Sequence, residues 1–312
     1  SLLASEYQML LALGQVTKLR QQAARVQLEW EENLGLAINV EAARNNPNIR
    51  IYRNDSVINA EISFEDALRE AYRLTRVYEV YTSTTYAQRD KLFLMRMVSS
   101  GDINLENYVY ELANAFTAFE ENYGNPEQRL QIISLRDDII KVPRLGDDKE
   151  LLSTDERTRR LREYLADPSL LNEKGYMAIP FRTNLENLSP LTRNHKVLYI
   201  EAGIEGDDNG DFLGRLYVRQ QGTSVVKSVE DETQYYRFPE RTAVINPFFN
   251  NAYQFKENQD LYRSFRLRDR PMVNTDWELV INQRDEQVNQ DINISLLTDI
   301  KLYIYYSDFT VY

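Results

Sequence analysis

Hydrophobic positions at the start of the chain recur at helical spacing. Met9, Leu13, Val16, Leu19, Ala23, Val26, Trp30 and Leu34 stand about 3.6 residues apart on average, with Gln, Arg, Lys and Glu filling the opposite side. This predicts one amphipathic helix over 2–34. At a rise of about 1.5 Å per residue it would be about 50 Å long, so it needs a bundle or stalk partner for its apolar stripe. Gly35 stops it, and Asn45, Asn46, Pro47 and Asn48 form a turn-rich break before an extended piece at 49–53. Ser63 with Asp66 reads as a capping box that opens the next helix, whose stripe is Phe64, Leu68, Ala71, Thr75 and Tyr78. The β-branched polar stretch 82–85 predicts a kink or a split. A helix over 105–123 follows, closed by Gly124, and another is expected over 127–141, with a stripe weakened by Ile132, Ile133, Ile139 and Ile140. Ser153 or Thr154 caps a strongly charged helix reaching about 166.

From Tyr176 the period changes to that of strands. Short apolar stretches at 197–203, 212–219, 223–229, 235–238, 242–246, 276–283, 292–296 and 299–306 are separated by turn residues. In the last, Ile300, Leu302, Ile304 and Tyr306 alternate with Lys301, Tyr303 and Tyr305, the pattern of a half-buried strand. No helices of crossover length lie between these stretches, so a doubly wound parallel sheet is excluded. The expected class is α+β multidomain: an N-terminal long-helix bundle or stalk, then an antiparallel, jelly-roll-like β-sandwich. The boundaries read as 1–150 for the helical part, 151–175 for a linker with a short charged helix, and 176–312 for the sandwich.

Composition narrows the chemistry. The 312 residues include no cysteine and one histidine, His195. Thiol catalysis, thiolate metal sites and disulfides are thereby excluded, and an imidazole-rich zinc site cannot form within one chain. The net charge of −11 argues against a nucleic-acid partner. No apolar run is long enough to span a membrane. The chain opens Ser1-Leu2-Leu3 without Met, which reads as a processed protein or a piece of a longer one.

Several residues are candidates for function. The turn Asp207-Asp208-Asn209-Gly210-Asp211 offers hard oxygen ligands; Asp207, Asn209 and Asp211 would suit calcium, the one cofactor the chain suggests, although residue 218 is Val where an EF-hand loop needs Glu. The same residues make an ordinary hairpin turn. Tyrosine is abundant at 21 residues, and Tyr235, Tyr236 and Arg237 form a candidate contact site for a protein or a surface glycan. Glu201, Glu205, Asp276, Glu278 and Asp299 lie in or beside extended segments, where a facing pair would hydrolyse a glycosidic bond; as single residues they are charges that keep sheet edges soluble. His195 precedes a strand and is either a loop base or a structural residue. Arg266, Arg268 and Arg270 would line one face of an extended segment, with Arg263 just upstream.

The wording near the end of the chain, Trp277-Glu278-Leu279, then Leu296-Leu297-Thr298-Asp299-Ile300, then Leu302-Tyr303-Ile304-Tyr305-Tyr306, resembles the C-terminal region of large bacterial toxin-complex A-type proteins. The order of long helices before a β-rich end resembles them too. The resemblance implies assembly rather than catalysis and carries over no catalytic residue. The reading is therefore a non-catalytic assembly or binding module of a larger bacterial, exported, toxin-like protein, secreted or at the cell surface. Its partner would be a protein or another region of the same polypeptide. A calcium-assisted carbohydrate-binding module and a carboxylate-based glycan hydrolase are the alternatives.

Overall fold

The computed structural model describes residues 47–92, 105–184, 188–206, 214–249, 259–289 and 292–311, which fall in two compact units, 1–122 and 123–312. The helix expected over 2–34 lies outside the described residues. In the first unit, α1 (Pro47–Thr82) runs unbroken for 36 residues. Neither Gly nor Pro interrupts it after Pro47, so it continues through the extended piece expected at 49–53 and through Ser63, which is an interior residue and not a cap. It ends where the β-branched stretch predicted a split. Ser83 takes a left-handed φ of 55°, and Thr82 Oγ1 accepts from Thr84 N at 3.2 Å while donating to Tyr78 O at 2.9 Å.

α2 (Leu105–Tyr123) supplies Tyr108, Val109 and Leu112 to a core shared with Leu68 and Ala71 of α1 and with Tyr86 and Leu92 of the connection. Tyr108 Oη and Thr75 Oγ1 share a hydrogen bond of 2.7 Å inside it. The chain reversal is tied to α1 by Glu79, which is 4% exposed and accepts from Tyr86 N at 3.2 Å and Arg89 at 3.3 Å.

The second unit is a sandwich of two sheets. One has the order β1-β9-β3-β7, from Glu127–Ser134, Leu297–Thr310, Thr192–Gly206 and Phe248–Phe249. The other has the order β2-β8-β4-β5, from Met177–Thr183, Thr275–Ile281, Leu216–Lys227 and Thr233–Arg237, with β6 (Arg241–Ile245) also on β4. All pairings are antiparallel except the short β3–β7 contact. Val197, Ile200, Ile204, Leu302 and Ile304 from the first sheet and Leu216, Val218, Trp277 and Leu279 from the second form one core. Alternate residues of β4 and of β9 from Ile300 to Tyr306 face inward, as period-2 patterning requires. A register shift between Val197 and Tyr199 changes the phase within β3.

Three further expectations are corrected. Residues 127–134, expected to be helical, form β1, because β9 offers a free edge that pairs with all eight of them; the β-branched Ile132 and Ile133 suit a strand. Only 135–139 turn helically, as a π-helix, and Ser134 Oγ accepts from Asp137 N at 2.9 Å to cap it. The stretches 212–219 and 223–229 are not two strands: β4 is continuous from Leu216 to Lys227. Ile294–Leu296, expected within a strand, is a turn of 3-10 helix capped by Asn293, whose side chain accepts from Ser295 N at 3.0 Å.

α3 (Thr154–Leu165) is capped by Ser153 as expected, Glu156 N donating to its side chain at 3.2 Å. Leu161 and Leu165 enter the sandwich core, and Arg162 Nε donates to Leu297 O at 2.8 Å. The segment from 264 to 272 straps the edge of β3 that faces away from β9. Ser264 and Ile200 exchange backbone hydrogen bonds of 2.9 and 3.0 Å, and Met272 N reaches His195 O at 3.1 Å.

Candidate functional site: one charged face and one aromatic face

The two sheets present unlike outer faces. In β4 the even-numbered residues are buried and the odd-numbered ones face solvent. Arg219 stands opposite Glu278 of β8 and pairs with it at 3.3 Å, and Arg182 of β2 stands opposite Asp276 and pairs at 3.7 Å. Opposite charges on neighbouring strands make this face a polar lattice. An open depression of about 400 Å³ at this sheet is lined by Pro180, Phe181, Arg182, Gln221, Asp276 and Trp277. The floor is firm. Trp277 is fully buried, stacks on Phe181 at 6.1 Å, and donates its indole N–H to Thr183 Oγ1 at 2.9 Å.

The outer face of the other sheet is aromatic. Tyr303 and Tyr305 of β9 point outward, since Leu302, Ile304 and Tyr306 point in. Tyr305 stacks on Tyr199 of β3, centroids 4.3 Å apart, and Phe265 of the strap lies 5.5 Å from the same Tyr199. The Arg263 guanidinium sits 4.9 Å above the Tyr199 ring. Phe248 of β7 packs 5.4 Å from Tyr303, over Gly203, where a Cβ would lie 2.8 Å from the Phe248 ring. At the other side of the face, Leu130 and Ile132 of β1 stand opposite Tyr305 and Tyr303 and are 43% and 50% exposed.

The carboxylates considered for hydrolysis are dispersed and engaged. Glu201 and Glu205 lie on β3 and pair with Arg263 at 3.1 Å and Lys301 at 2.7 Å; Asp276 and Glu278 belong to the opposite face. The register does bring Glu205 opposite Asp299. However, Asp299 is 1% exposed and accepts from Ser134 Oγ at 2.7 Å, Arg136 N at 3.0 Å and Ile300 N at 2.8 Å. Burial pushes its carboxyl up, against the pull of those donors. It is a buried tie between β9 and the end of β1, with no room for a sugar ring beside it.

His195 is structural in its surroundings. It is 1% exposed, shares a 2.8 Å hydrogen bond with Thr192 Oγ1 and lies against the ring of Tyr306. Burial, helped by Arg193 and Arg129, lowers its pKa from 6.5 to about 4. The unfolded chain takes up a proton near pH 6.5 that the folded chain refuses until about 4. Stability from the neutral ring is therefore complete above pH 6.5 and is lost as pH falls through 4, by about 3 kcal/mol. Urea denaturation at pH 7 and pH 4 is expected to show this loss in the wild type and a loss smaller by about that amount in His195→Gln. Parallel losses in both proteins would mean that His195 protonates in the folded state without penalty.

The arginine run does not line one face. Residues 266–269 form a turn, and Arg270 is 5% exposed, donating to Gln220 Oε1 at 3.0 Å and Pro239 O at 2.5 Å and lying 5.2 Å from the Phe238 ring. Of the candidate contact residues, Tyr235 is 77% exposed and shares a side of β5 with Arg237. Tyr236 faces the other way, half-buried opposite Ser224 and stacked on Phe238 at 5.5 Å. The candidate calcium ligands Asp207, Asn209 and Asp211 lie outside the described residues. Among the described residues no group of three or more His, Asp or Glu side chains is placed to hold a metal.

Tyr303 and Tyr305 are among the tyrosines of the strand-rich half from which a binding surface is expected. The contact site read from the sequence is Tyr235, Tyr236 and Arg237, however, and the grouping of Tyr303 and Tyr305 with Tyr199 and Phe265 is not read there. The signal of the aromatic face was present in β9, where the residues alternating with the buried set are Tyr303 and Tyr305 rather than uniformly charged ones.

No family model matches the chain, and no curated protein matches it. Among solved structures, it is similar to TcdA4 of Morganella morganii, seen by cryo-EM, with a TM-score of 0.49 and 16% identity over 97% of this chain. It is also similar to TcaA-TcaB of Yersinia pseudotuberculosis, with a TM-score of 0.39 and 13% identity over 92% of this chain. The chain spans 13% of the length of the first and 16% of the second.

Proposed function

We propose that this chain is a non-catalytic assembly or binding module of a larger bacterial, exported, toxin-like protein, and that it docks a polypeptide on the outer face of its four-stranded sheet. The observation that carries this reading is the difference between the two outer faces. One is laced by ion pairs such as Arg219–Glu278, as a solvated sheet surface should be. The other also carries ion pairs, Glu201–Arg263 and Glu205–Lys301, but between them it gathers Tyr199, Tyr303, Tyr305 and Phe265 next to the exposed Leu130 and Ile132. Aromatic rings beside apolar residues are the composition of a docking surface. The toxin-like and exported part of the reading rests on the wording at 277–279, 296–300 and 302–306.

The test is photo-crosslinking in cells that produce the parent protein. A photoreactive phenylalanine at Phe265 is expected to give adducts with another polypeptide or with a distant region of the same one. The same group at Arg219 is expected to give none. Equal labelling at both positions would remove the reason for choosing this face. Exposed Tyr235 beside Arg237 is assigned a smaller second contact, for which a glycan is the alternative ligand.

A further inference from the structure

We infer that β1 is an open docking edge that accepts an extended, basic strand of a separate polypeptide. This rests on the assembly reading above and names where and how that module binds.

The direction of the backbone groups follows from the hydrogen bonds at the strand ends. Ser134 N donates to Asp138 Oδ2 at 2.7 Å, so it points away from β9. Backbone groups alternate along a strand, so those of Leu130 and Ile132 point the same way. The far side of the sheet agrees. Ile200 gives both of its groups to Ser264 in the strap, which leaves Tyr199, Glu201 and Gly203 to bond to Tyr305, Tyr303 and Lys301. The even-numbered residues of β9 are therefore the ones that serve β1. Among the described residues nothing beyond the β1–β9 ladder bonds to Leu130 or Ile132.

The other edges in the described structure are blunted. β2 carries Pro180 in mid-strand. The edge formed by β5 and β6 is broken between Arg237 and Arg241 by a stretch containing Pro239. β7 is two residues long, and the strap from 264 to 272 covers the first part of β3. β1 has no Pro, and its pairing with β9 has no bulge. Natural sheets protect such edges, so one left open beside exposed apolar side chains is a place for strand addition.

The chemistry of the occupant follows. Its backbone must complement the unpaired N–H and C=O groups, so it is extended. Every second side chain must be apolar to rest beside Leu130 and Ile132, which continue the aromatic face. A second copy of this chain would bring −11 against −11, whereas lysines or arginines flanking the strand would be attracted.

The experiment uses the whole chain and a synthetic peptide in which Val and Thr alternate, flanked at each end by two lysines. Fluorescence anisotropy of the labelled peptide is expected to show saturable binding, with slowed hydrogen exchange at the Leu130 and Ile132 amides. Ile132→Pro removes an N–H that β9 does not use, so it should keep the melting temperature and weaken binding at least about tenfold. Ile132→Lys, which keeps the backbone and adds a repelling charge, should weaken it as well and serves if the proline variant does not fold. Unchanged binding by a folded variant, or no binding by the wild type, overturns the proposal. Concentration-dependent self-association through the same amides would put a second copy on the edge and overturn the assignment of a basic partner. If the peptide fails while crosslinks at Phe265 persist, the edge is wrong and the assembly reading stands; loss of both removes both.

Discussion

Replacing Gly222 with alanine is expected to destabilise the sandwich by about 4 kcal/mol or more, one of the largest effects available to a single methyl group in this chain. Gly222 has a φ of +90°, and a Cβ on it would lie 2.1 Å from the carbonyl oxygen of Phe238. The obstacle is backbone, which cannot swing aside as a side-chain tip can. The approach has a purpose, because Phe238 N donates to Gly222 O at 2.7 Å. At this point β4 changes partner: up to Gln220 it pairs with β6, and from Thr223 it pairs with β5. The register with β8 shifts over the same residues. Urea unfolding measures the loss, and hydrogen exchange at 233–237 should rise because β5 loses its anchor. A variant within about 1 kcal/mol of the wild type would show that Phe238 does not approach Gly222 in solution.

Asp299→Ala is expected to cost about 4 kcal/mol, while Asp299→Asn costs about 1 kcal/mol. The alanine leaves Ser134 Oγ and Arg136 N without their buried acceptor, and those two bonds fasten the end of β1 to β9. Asparagine keeps an acceptor for one of them. The carboxylate already carries the penalty of burial, which pushes its pKa up, so losing the charge itself costs little. The signature is regional: exchange should quicken along β1 before it does in β4 or β8. Equal destabilisation by both substitutions would place the importance of Asp299 in its charge, and equal tolerance of both would remove its role as a tie.

Much of the architecture was legible before any coordinates. The alternation from Ile300 to Tyr306 is in β9, the caps at Ser153 and the break after Thr82 are where composition put them, and the order of helices before strands holds. These features depend on neighbours in the chain, and periodicity records neighbours. The misreading of 127–134 has a different origin. Glu127-Gln128-Arg129-Leu130-Gln131-Ile132-Ile133 suits either state locally, and what decides is the free edge of β9 more than 160 residues away.

The candidate site divides in the same way. An exposed Tyr235 and a sheet of alternating polarity could be read from residue types, and so could the absence of thiol and multi-histidine chemistry. Which carboxylates meet which cations could not, because Glu201–Arg263 and Arg219–Glu278 join segments with no fixed spacing in the chain. The burial of His195 and Arg270 was equally hidden, since a polar residue enters a core only where distant groups, here Thr192 for one and Gln220 with Pro239 for the other, satisfy it. By itself the sequence determined the succession of elements and the chemistries excluded by missing residue types, because both follow from local pattern and composition. Only the tertiary structure decided that the aromatic residues share one outer face and that β1 ends that face as an open edge, because strand pairing joins positions that sequence distance leaves unrelated.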